Sequence, residues 1–437
     1  MIGGLAVGDR VEVEVGPVAH GGHCVARYEG QVLFVRHTLP GERVVAEVTG
    51  IGSGNRFVYA DARAVLTASP DRVVPPCPYA GRCGGCDFQH VALPAQRELK
   101  AAVVREQLQR LARLDLPVEV EPVPGDRDGL RWRTRAEFAV SDDRRVGMRP
   151  HRSHEVLSID DCLIATDAVV GTGVLHRDPS TIAEDVGAFD VVAPSVGEPV
   201  VVPVPQDEAP DPVPDVAEHV AARMLHRQFA VSARGFWQVH PGAPATFVDA
   251  VLEMLAPRPG ERALDLYSGV GVFAAALAEA VGPVGQVIAI ESDATATRHA
   301  EANLAAYRHV VAVRARVDDA FGLPRQVRGP RRGRTRAGSR HPLLPHTADV
   351  VVLDPPRTGA GKDVCCAVAA LSPRAIAYVA CDPAALARDL ATLTGQGYAV
   401  TRLRSFDAFP MTHHVECLAL LEPAGGRIDR TGPTKIS

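Results

Sequence analysis

The stretch "ALDLYSGVGVFAAALA" (residues 263–278) decides the fold class of the chain. It combines a short apolar strand that carries Asp265, a turn with Gly269 and Gly271, and an alanine-rich helix. Glycine lets the backbone turn tightly and approach a ligand closely, so this order is typical of cofactor sites in α/β sheets. A G-x-G pattern alone is weak evidence, and the surrounding segments must decide which cofactor binds.

The chain from residue 236 onward alternates between apolar strands and helices. A strand that is followed each time by a helix is the pattern of a doubly wound parallel sheet, which we therefore predict for residues 236–437. The predicted strands are "RALDLYS" (262–268), "QVIAIES" (286–292), "VVAVRARV" (310–317), "ADVVVLD" (348–354), "AIAYVAC" (375–381) and "CLALLE" (417–422).

The first 235 residues follow different patterns. Residues 1–66 alternate apolar and polar residues in short runs between glycine-rich turns, which predicts a small OB-like β-barrel. Residues 67–235 indicate a mixed α+β region with a helix over 93–114. The proline-rich stretch 202–218 ends an acidic segment (178–218) and is predicted to be a flexible loop. We expect three domains, 1–66, 67–235 and 236–437.

Composition places the chain among globular proteins. It has 437 residues, 46% of them hydrophobic and 23% charged, and no apolar run reaches the roughly 18–20 residues of a membrane helix. The net charge of −5 is unevenly spread, because residues 324–341 carry arginine as their only charged residue type; we expect this insertion to lie on the surface. The start lacks the features of a signal peptide, so we expect a cytoplasmic protein whose nine cysteines are reduced.

Two later segments distinguish between possible cofactors. Glu291 ends the second strand of the pattern and can accept hydrogen bonds from a ribose, which suits either a nicotinamide dinucleotide or a nucleoside donor. The third glycine of the dinucleotide pattern is missing, and "VVVLDPPRTG" (350–359) places Asp354 at the end of another strand. This combination resembles class I methyltransferases, which use S-adenosylmethionine.

The residue types at two strand ends favour methylation of a ring carbon. Arg357 stands where enzymes that methylate amino groups have an aromatic residue after Asp-Pro-Pro. Carbon 5 of uracil becomes nucleophilic only after a thiolate adds to carbon 6, and Cys381 at the end of a strand is the candidate. Removal of the carbon 5 proton needs a base, for which Glu416 is the candidate and His413 and His414 are alternatives.

A cysteine cluster lies between the barrel and the predicted helix. Cys77, Cys83 and Cys86 have the spacing C-x5-C-x2-C, and zinc and an iron-sulfur cluster both fit three thiolates this close together. The fourth ligand must come from a distance, and Cys162 is the candidate. The cysteines that we expect to be structural are Cys24, Cys365, Cys366 and Cys417.

Together these segments resemble the RNA uracil-5-methyltransferase family, in the branch with an N-terminal TRAM barrel and a 4Fe-4S cluster. The motifs that carry the resemblance are "CPYAGRCGGCDFQH" (77–90), "GFWQVHPGAP" (235–244), "DLYSGVGVF" (265–273), "LDPPRTG" (353–359), "CDPAALARDL" (381–390) and "FPMTHHVE" (409–416). The chain departs from the family pattern at His240, Val272 and Asp382, where the family often has Asn, a polar residue and Asn.

The resemblance implies a Rossmann-like class I methyltransferase domain and a role for each motif. It implies that Cys381 is the nucleophile and Glu416 the base. The implied ligands of the cluster are Cys77, Cys83, Cys86 and Cys162, and the implied contacts of the methyl donor or the active-site framework are Gln238, Tyr267, Glu291 and Asp354.

RNA is the expected partner. In "LRWRTRAEFAV" (130–140), Arg131, Arg133 and Arg135 alternate with Trp132 on a predicted strand, either as a phosphate-binding face or as an ordinary solvated one. We expect 5-methyluridine formation in ribosomal RNA rather than transfer RNA, because the barrel is present. The alternatives are a transfer RNA enzyme and a non-catalytic iron-sulfur RNA-binding protein. We expect no membrane and no obligate protein partner.

Overall fold

A closed five-stranded barrel forms the N-terminal part of the protein. The computed structural model describes residues 5–207, 209, 212–324 and 338–425. In β1, alternate residues such as Val11, Val13 and Val15 point into the barrel, which confirms the small barrel predicted from the alternating pattern. The strands, in the order β1-β2-β3-β5-β4 around the barrel, are β1 (Arg10–Val18), β2 (Cys24–Tyr28), β3 (Gln31–Arg36), β4 (Arg43–Ile51) and β5 (Phe57–Thr67).

A helix joins the barrel to the C-terminal sheet. Helix α1 (Leu93–Gln107) has its proline in the first turn, where the missing amide hydrogen costs nothing. Lys100 on this helix is fully buried, and its Nζ donates to Asp407 at 2.5 Å and to the Phe409 carbonyl at 3.0 Å. Leaving either charge of such a buried pair without its partner costs about 3–5 kcal/mol, so this pair fixes α1 firmly against the sheet that contains Asp407.

A second sheet, in the order β11-β10-β7-β8-β9, fills the middle of the chain. It contradicts two predictions in part, although 208, 210 and 211 of the predicted acidic loop lie outside the described residues. The stretch 130–140 is a strand only from Arg135, because Arg131 has a positive φ of 55° that no strand accommodates. The acidic stretch 202–218 begins and ends in strands, and Val202 is buried. The elements are β6 (Val120–Pro122), β7 (Arg135–Val140), β8 (Val146–Met148), β9 (Leu157–Ser158), α2 (Asp167–Val170), β10 (Val186–Val192) and β11 (Val200–Pro205).

A hairpin links this sheet to the C-terminal one. Strands β12 (Asp215–Ala222) and β13 (Leu225–Ser232) pair along their whole length. The hairpin packs on helix α3 (Ala243–Leu255), and Phe229 and Val231 belong to the same apolar core as Phe247 of that helix. The loop between β13 and α3 therefore lies next to the C-terminal sheet.

The C-terminal sheet has eight strands in the order β16-β15-β14-β17-β18-β20-β19-β6. Strand β20 runs antiparallel to both neighbours, so the prediction of a purely parallel sheet is wrong at this strand. The elements are β14 (Arg262–Leu266), α4 (Val272–Val281), β15 (Gln286–Glu291), α5 (Ala294–Leu304), β16 (Val310–Arg314), α6 (Val317–Ala320), β17 (Val350–Leu353), α7 (Lys362–Ala370), β18 (Ala375–Ala380), α8 (Pro383–Gly395), β19 (Tyr398–Asp407) and β20 (Glu416–Pro423).

The strand order reverses between β14 and β17. In open α/β sheets, the crevice at the carboxyl ends of the strands on either side of such a reversal is the usual ligand site. Asp265, Asp354 and Cys381 all lie at this end of their strands. The arginine-rich insertion enters after α6, and 325–337 fall outside the described residues. Among the helices that the structure describes, none is both long and apolar enough to span a bilayer.

Candidate active site

Cys381 lies at the carboxyl end of a fully buried strand. All six residues of β18 are buried, and the chain then turns through Cys381 into α8. Asp382 caps that helix by accepting a hydrogen bond from the Ala385 amide at 2.7 Å. The cap fixes the turn, so the thiol is held at the mouth of the sheet, where it is partly exposed.

Glu416 faces Cys381 from the neighbouring antiparallel strand. The last pair of the β18–β20 ladder is Ala380 with Cys417, so the next residues, Cys381 and Glu416, stand opposite each other. Opposed residues in antiparallel strands project from the same face of a sheet. The structure thus brings together the predicted nucleophile and the predicted base.

Burial and like charges change the acidity of both groups. Glu416 is only 6% exposed, and burial raises its pKa well above the usual range, with a further rise from Asp354 that Arg357 opposes. Burial, followed by the charges of Glu416 and Asp354, raises the pKa of Cys381 to about 11. In the free protein at neutral pH the thiol is therefore largely protonated, and the carboxyl ionises at a higher pH than an exposed glutamate does.

Two further acids lie at adjacent strand ends. Burial raises the pKa of Asp354 to about 7. Burial, with the charge of Asp354, raises the pKa of Asp265 to about 8. Within the part of the chain that the structure describes, neither carboxylate oxygen of Asp265 has a hydrogen-bond partner, and the buried hydroxyl of Ser268 has none. Buried polar atoms without partners indicate that a polar or cationic ligand completes this crevice.

The glycine turn brings Glu291 and Tyr267 together. Glu291 accepts a hydrogen bond from the Gly269 amide at 3.0 Å and from the Ser292 amide at 2.6 Å. Tyr267 adopts the left-handed conformation with φ 67°, and its amide donates to Ile290 next to Glu291. Gln238 is partly buried on the loop between β13 and α3. The backbone places Tyr267, Glu291 and the two strand-end acids at one edge of the sheet, whereas Gln238 belongs to a separate loop.

An open cavity lies above Cys381. Arg357, which follows Asp-Pro-Pro, lines it together with Cys381. Two glycines and a histidine of the barrel also line it, although they precede Cys381 by about 360 residues. The cavity is bounded by His20, Gly21, Gly22, Phe88, Leu99, Lys100, Val103, Arg357, Cys381, Asp382, Pro383, His413, His414 and Val415.

The two alternative bases are placed differently from Glu416. His413 Nδ1 lies 2.6 Å from Asp87 Oδ2, which ties the ring to the loop after the cysteine cluster. Burial, followed by the charge of His413, lowers the pKa of His414 to about 3, so that ring is neutral at physiological pH. Neither imidazole stands opposite Cys381 in the strand register, as Glu416 does.

Comparison with known proteins identifies the family. A family profile for tRNA (Uracil-5-)-methyltransferase matches residues 218–424, and the TRAM domain profile matches residues 5–61. The chain is 47% identical to an uncharacterized RNA methyltransferase of Streptomyces coelicolor, over 96% of this chain and 94% of that protein. The chain belongs to the RNA uracil-5-methyltransferase family. It is an enzyme of the class that methylates RNA.

Two other comparisons extend this assignment. The enzyme is 31% identical to the 23S rRNA (uracil(1939)-C(5))-methyltransferase RlmD of Pseudomonas putida, over 96% of this chain and 95% of that one. The solved structure of the tRNA (uracil-54, C5)-methyltransferase of Pyrococcus abyssi with S-adenosyl-L-homocysteine superposes with a TM-score of 0.65 at 21% identity, covering 94% of this chain and 100% of that one. This superposition shows the class I methyltransferase fold, and the match to the TRAM profile identifies the N-terminal barrel as a TRAM domain.

The four cysteines of the predicted cluster lie near one another in the enzyme. Burial raises the pKa of Cys83, Cys86 and Cys162, and the charge of Cys77 adds to each shift. Gly84 has no room for a side chain, because a Cβ there would lie 2.7 Å from the Arg149 carbonyl oxygen. Over the described ranges, no group of three or more His, Cys, Asp or Glu side chains is arranged as a metal site.

The predicted arginine face does not form. Arg131 donates two hydrogen bonds to Asp161, at 2.8 and 2.6 Å, and Arg135 donates to Glu218 at 2.9 Å with both side chains buried. Trp132 is also buried rather than exposed on a strand. Two of the three arginines therefore stabilise the middle of the chain through ion pairs, and the interpretation of the segment as a phosphate-binding strand face is wrong.

Sequence reasoning missed the contribution of the barrel to the cavity. His20 Nε2 lies 2.9 Å from Asp382 Oδ2, so the departure from the family pattern at Asp382 has a partner in this chain. The only local signal is the "HGGH" turn (20–23) between two barrel strands. Such a turn does not reveal what it contacts, because its partner is distant in sequence.

Proposed function

We propose that this enzyme transfers a methyl group from S-adenosylmethionine to carbon 5 of a uridine in ribosomal RNA, with Cys381 as the nucleophile. The observation that carries the proposal is the opposition of Cys381, which lines the cavity, and Glu416 across β18 and β20. A thiol and a buried carboxyl on the same face are the two groups that this reaction needs.

The chemistry proceeds by addition and elimination. The partly exposed Cys381 thiol gives its proton to solvent, and the thiolate forms a bond to carbon 6 of uracil, which moves the electrons of the 5,6 double bond into an enolate. Carbon 5 then takes the methyl group, and S-adenosylhomocysteine leaves. S-adenosylmethionine supplies that methyl group, and its positive charge would favour the ionised forms of the thiol and carboxyls near it.

Glu416 completes the reaction in this proposal. It removes the proton from carbon 5, the electrons of that bond restore the double bond, and the bond from carbon 6 to Cys381 breaks. The raised pKa of Glu416 suits a base that must hold a proton strongly once it has removed it. Arg357, which opposes that rise, lies at the same cavity and helps the carboxyl to ionise.

The donor site is proposed at the glycine turn. Glu291 accepts a hydrogen bond from the glycine turn, and its charge acts on Asp265, which has no hydrogen-bond partner among the described residues. Tyr267 begins that turn, and Asp354 lies between Asp265 and Cys381 in the strand order. A cationic donor fits this acidic environment. We include Gln238 in the donor site or active-site framework on the resemblance of its motif alone.

Ribosomal RNA is proposed as the substrate on the similarity to RlmD along nearly the whole chain. The barrel also presents rings that suit single-stranded RNA. Phe34 and Phe57 meet edge to face with ring centroids 5.3 Å apart, Tyr59 lies beside both, and the Arg152 guanidinium lies 4.3 Å from the Tyr59 ring centroid. Aromatic rings with a cation nearby stack on bases and attract phosphate.

The substrate is tested by mapping 5-methyluridine in RNA from cells with and without the gene. We expect one uridine of 23S ribosomal RNA to lose its methyl group in the deletion strain and to regain it when the wild-type gene is restored. Loss at a transfer RNA position with ribosomal RNA unchanged would establish the transfer RNA alternative. No change in either RNA, with RNA binding retained, would favour the non-catalytic alternative.

We further propose that Cys77, Cys83, Cys86 and Cys162 bind a 4Fe-4S cluster. Four neighbouring cysteines that act on one another electrostatically and the tight Gly84-Gly85 turn are the support, since sulfur ligands select iron-sulfur clusters or zinc. In this proposal the barrel (1–66) and a cluster-containing region (67–235) bind RNA, and residues 236–437 form the catalytic domain. The cytoplasm, where thiols stay reduced, is the proposed location.

Protein purified without oxygen should be brown and should contain about four iron and four sulfide ions per chain, with broad absorbance near about 400 nm. Cys162→Ser should lower the iron content, because it removes one ligand. Cys24→Ser is the matched control: Cys24 is buried inside the barrel, and its replacement should leave the iron content unchanged. Stoichiometric zinc without iron would contradict the cluster.

A further inference from the structure

The turn between β1 and β2 leaves the barrel and forms one wall of the Cys381 cavity. It is closed by hydrogen bonds from the Ala19 amide to the His23 carbonyl at 2.7 Å and from the Gly22 amide to the Ala19 carbonyl at 3.1 Å. Gly22 has φ 78°, and a Cβ there would lie 2.7 Å from the His413 Cβ. The turn is thus seated closely against the segment that leads to Glu416.

His20 extends from this turn to the residue after the nucleophile. Its Nε2 lies 2.9 Å from Asp382 Oδ2, while Oδ1 of the same carboxylate accepts from the Ala385 amide at 2.7 Å. Asp382 therefore joins the barrel turn and the start of α8 through its two oxygens. Any displacement of the barrel turn acts on the backbone next to Cys381.

Charged groups on the elements that pack against His20 shift its pKa in both directions. Asp382 raises the pKa of His20, burial and Arg388 of α8 lower it, and Glu106 of α1 raises it, so the net shift is upward. His20 in turn lowers the pKa of Asp382. The ion pair with Asp382 thus keeps His20 protonated to a higher pH than a free imidazole would be.

We propose that His20 is a positioning residue for Cys381, acting through Asp382, so that the barrel is part of the catalytic site. The inference rests on the proposed role of Cys381 as nucleophile. His20 holds Asp382 in the geometry that caps α8 and orients the thiol turn. The barrel is consequently required for the rate of attack on uracil as well as for RNA binding.

The test is single-turnover methylation of ribosomal RNA from a deletion strain, with the full-length enzyme. His20→Ala should lower the rate about three- to fivefold near pH 6, the size expected for loss of a partly exposed ion pair. The dissociation constant for the same RNA should stay within about twofold, because the pair acts on the thiol turn rather than on RNA. His226→Ala, an exposed histidine on β13, is the matched control and should leave both values unchanged.

The pH dependence distinguishes positioning from packing. A group whose pKa is raised in the folded protein contributes below that pKa and ceases to contribute above it. The ratio of the wild-type rate to the His20→Ala rate should therefore be largest in acid and should fall toward one as the pH rises above the ordinary histidine pKa of about 6.5. His20→Gln retains a donor without charge, so we expect an intermediate rate and a ratio that does not change with pH.

A second variant removes the same ion pair from its other side, so the test does not depend on His20→Ala alone. Asp382→Asn retains an oxygen that can cap α8 but loses the ion pair, and it should lower the rate as much as His20→Ala. The double variant should be no slower than either single variant, because all three lack the same interaction. Melting temperatures close to the wild-type value would show that each variant folds.

The possible outcomes separate this inference from the proposed function. A wild-type rate for His20→Ala, a rate ratio that is constant with pH, or weaker RNA binding with an unchanged rate would each overturn the positioning role. If Cys381→Ala is inactive, any of these results contradicts the positioning role of His20 and leaves the proposed mechanism unaffected. If Cys381→Ala methylates RNA, the proposed mechanism itself fails, whatever His20 does.

Discussion

Replacing Cys381 with alanine should lower methyl transfer by about 10⁴-fold or more, because no other thiol lies among the described residues that line the cavity. Binding of S-adenosylmethionine and RNA should stay within about twofold of wild type, since Asp354, Glu291 and the barrel are unchanged. The measurement is transfer of labelled methyl groups to ribosomal RNA from a deletion strain, beside equilibrium binding of both substrates. No covalent protein–RNA species should form.

Cys366→Ala is the matched control for this replacement. Cys366 is a partly exposed cysteine on α7, away from the cavity, and its alanine variant should methylate at the wild-type rate. Full activity of Cys381→Ala would rule out covalent catalysis by this residue. Loss of RNA binding together with activity would instead indicate that Cys381 holds the cavity in shape.

The sequence predicts the convergence of Asp265, Asp354 and Cys381 because each follows a run of buried residues that reads directly as a strand. The carboxyl ends of parallel strands meet at one edge of a sheet, so no further information is needed to place these residues together. The antiparallel direction of β20 does not follow in the same way, since strand direction depends on how the chain returns after α8. Glu416 was found from its position before an apolar run, and its register opposite Cys381 emerges only in the fold.

Contacts between distant segments account for the failures. The alternating pattern gives no sign that Arg131 has a partner. In the structure Arg131 binds Asp161, 30 residues away, and the backbone of Arg131 leaves the strand conformation. His20 gave no signal, because the docking of a barrel turn on α8 depends on surfaces formed by separate elements. Alternation and residue type report local structure and burial, whereas ion pairs between elements depend on tertiary packing.

Replacing Glu416 with glutamine should stop the reaction at a covalent intermediate. The amide has nearly the shape of the carboxyl but cannot remove the carbon 5 proton, so attack by Cys381 and methyl transfer proceed while elimination does not. Turnover should fall by about 10³-fold or more, and methylated RNA should accumulate on the protein. In the wild-type enzyme, elimination should accelerate as the pH rises, because burial raises the pKa of Glu416 and its ionised form increases with pH.

A denaturing gel with labelled ribosomal RNA measures this trapping. Glu416→Gln should give a slowly migrating band that carries the methyl label only when S-adenosylmethionine is present, and the band should be absent in the Cys381→Ala, Glu416→Gln double variant. Glu422→Gln, a change of the same type near the far end of β20, should turn over like wild type and give no band. Normal turnover by Glu416→Gln would assign proton removal to another group, and His414, which lines the same cavity and is neutral at physiological pH, would be the next residue to replace.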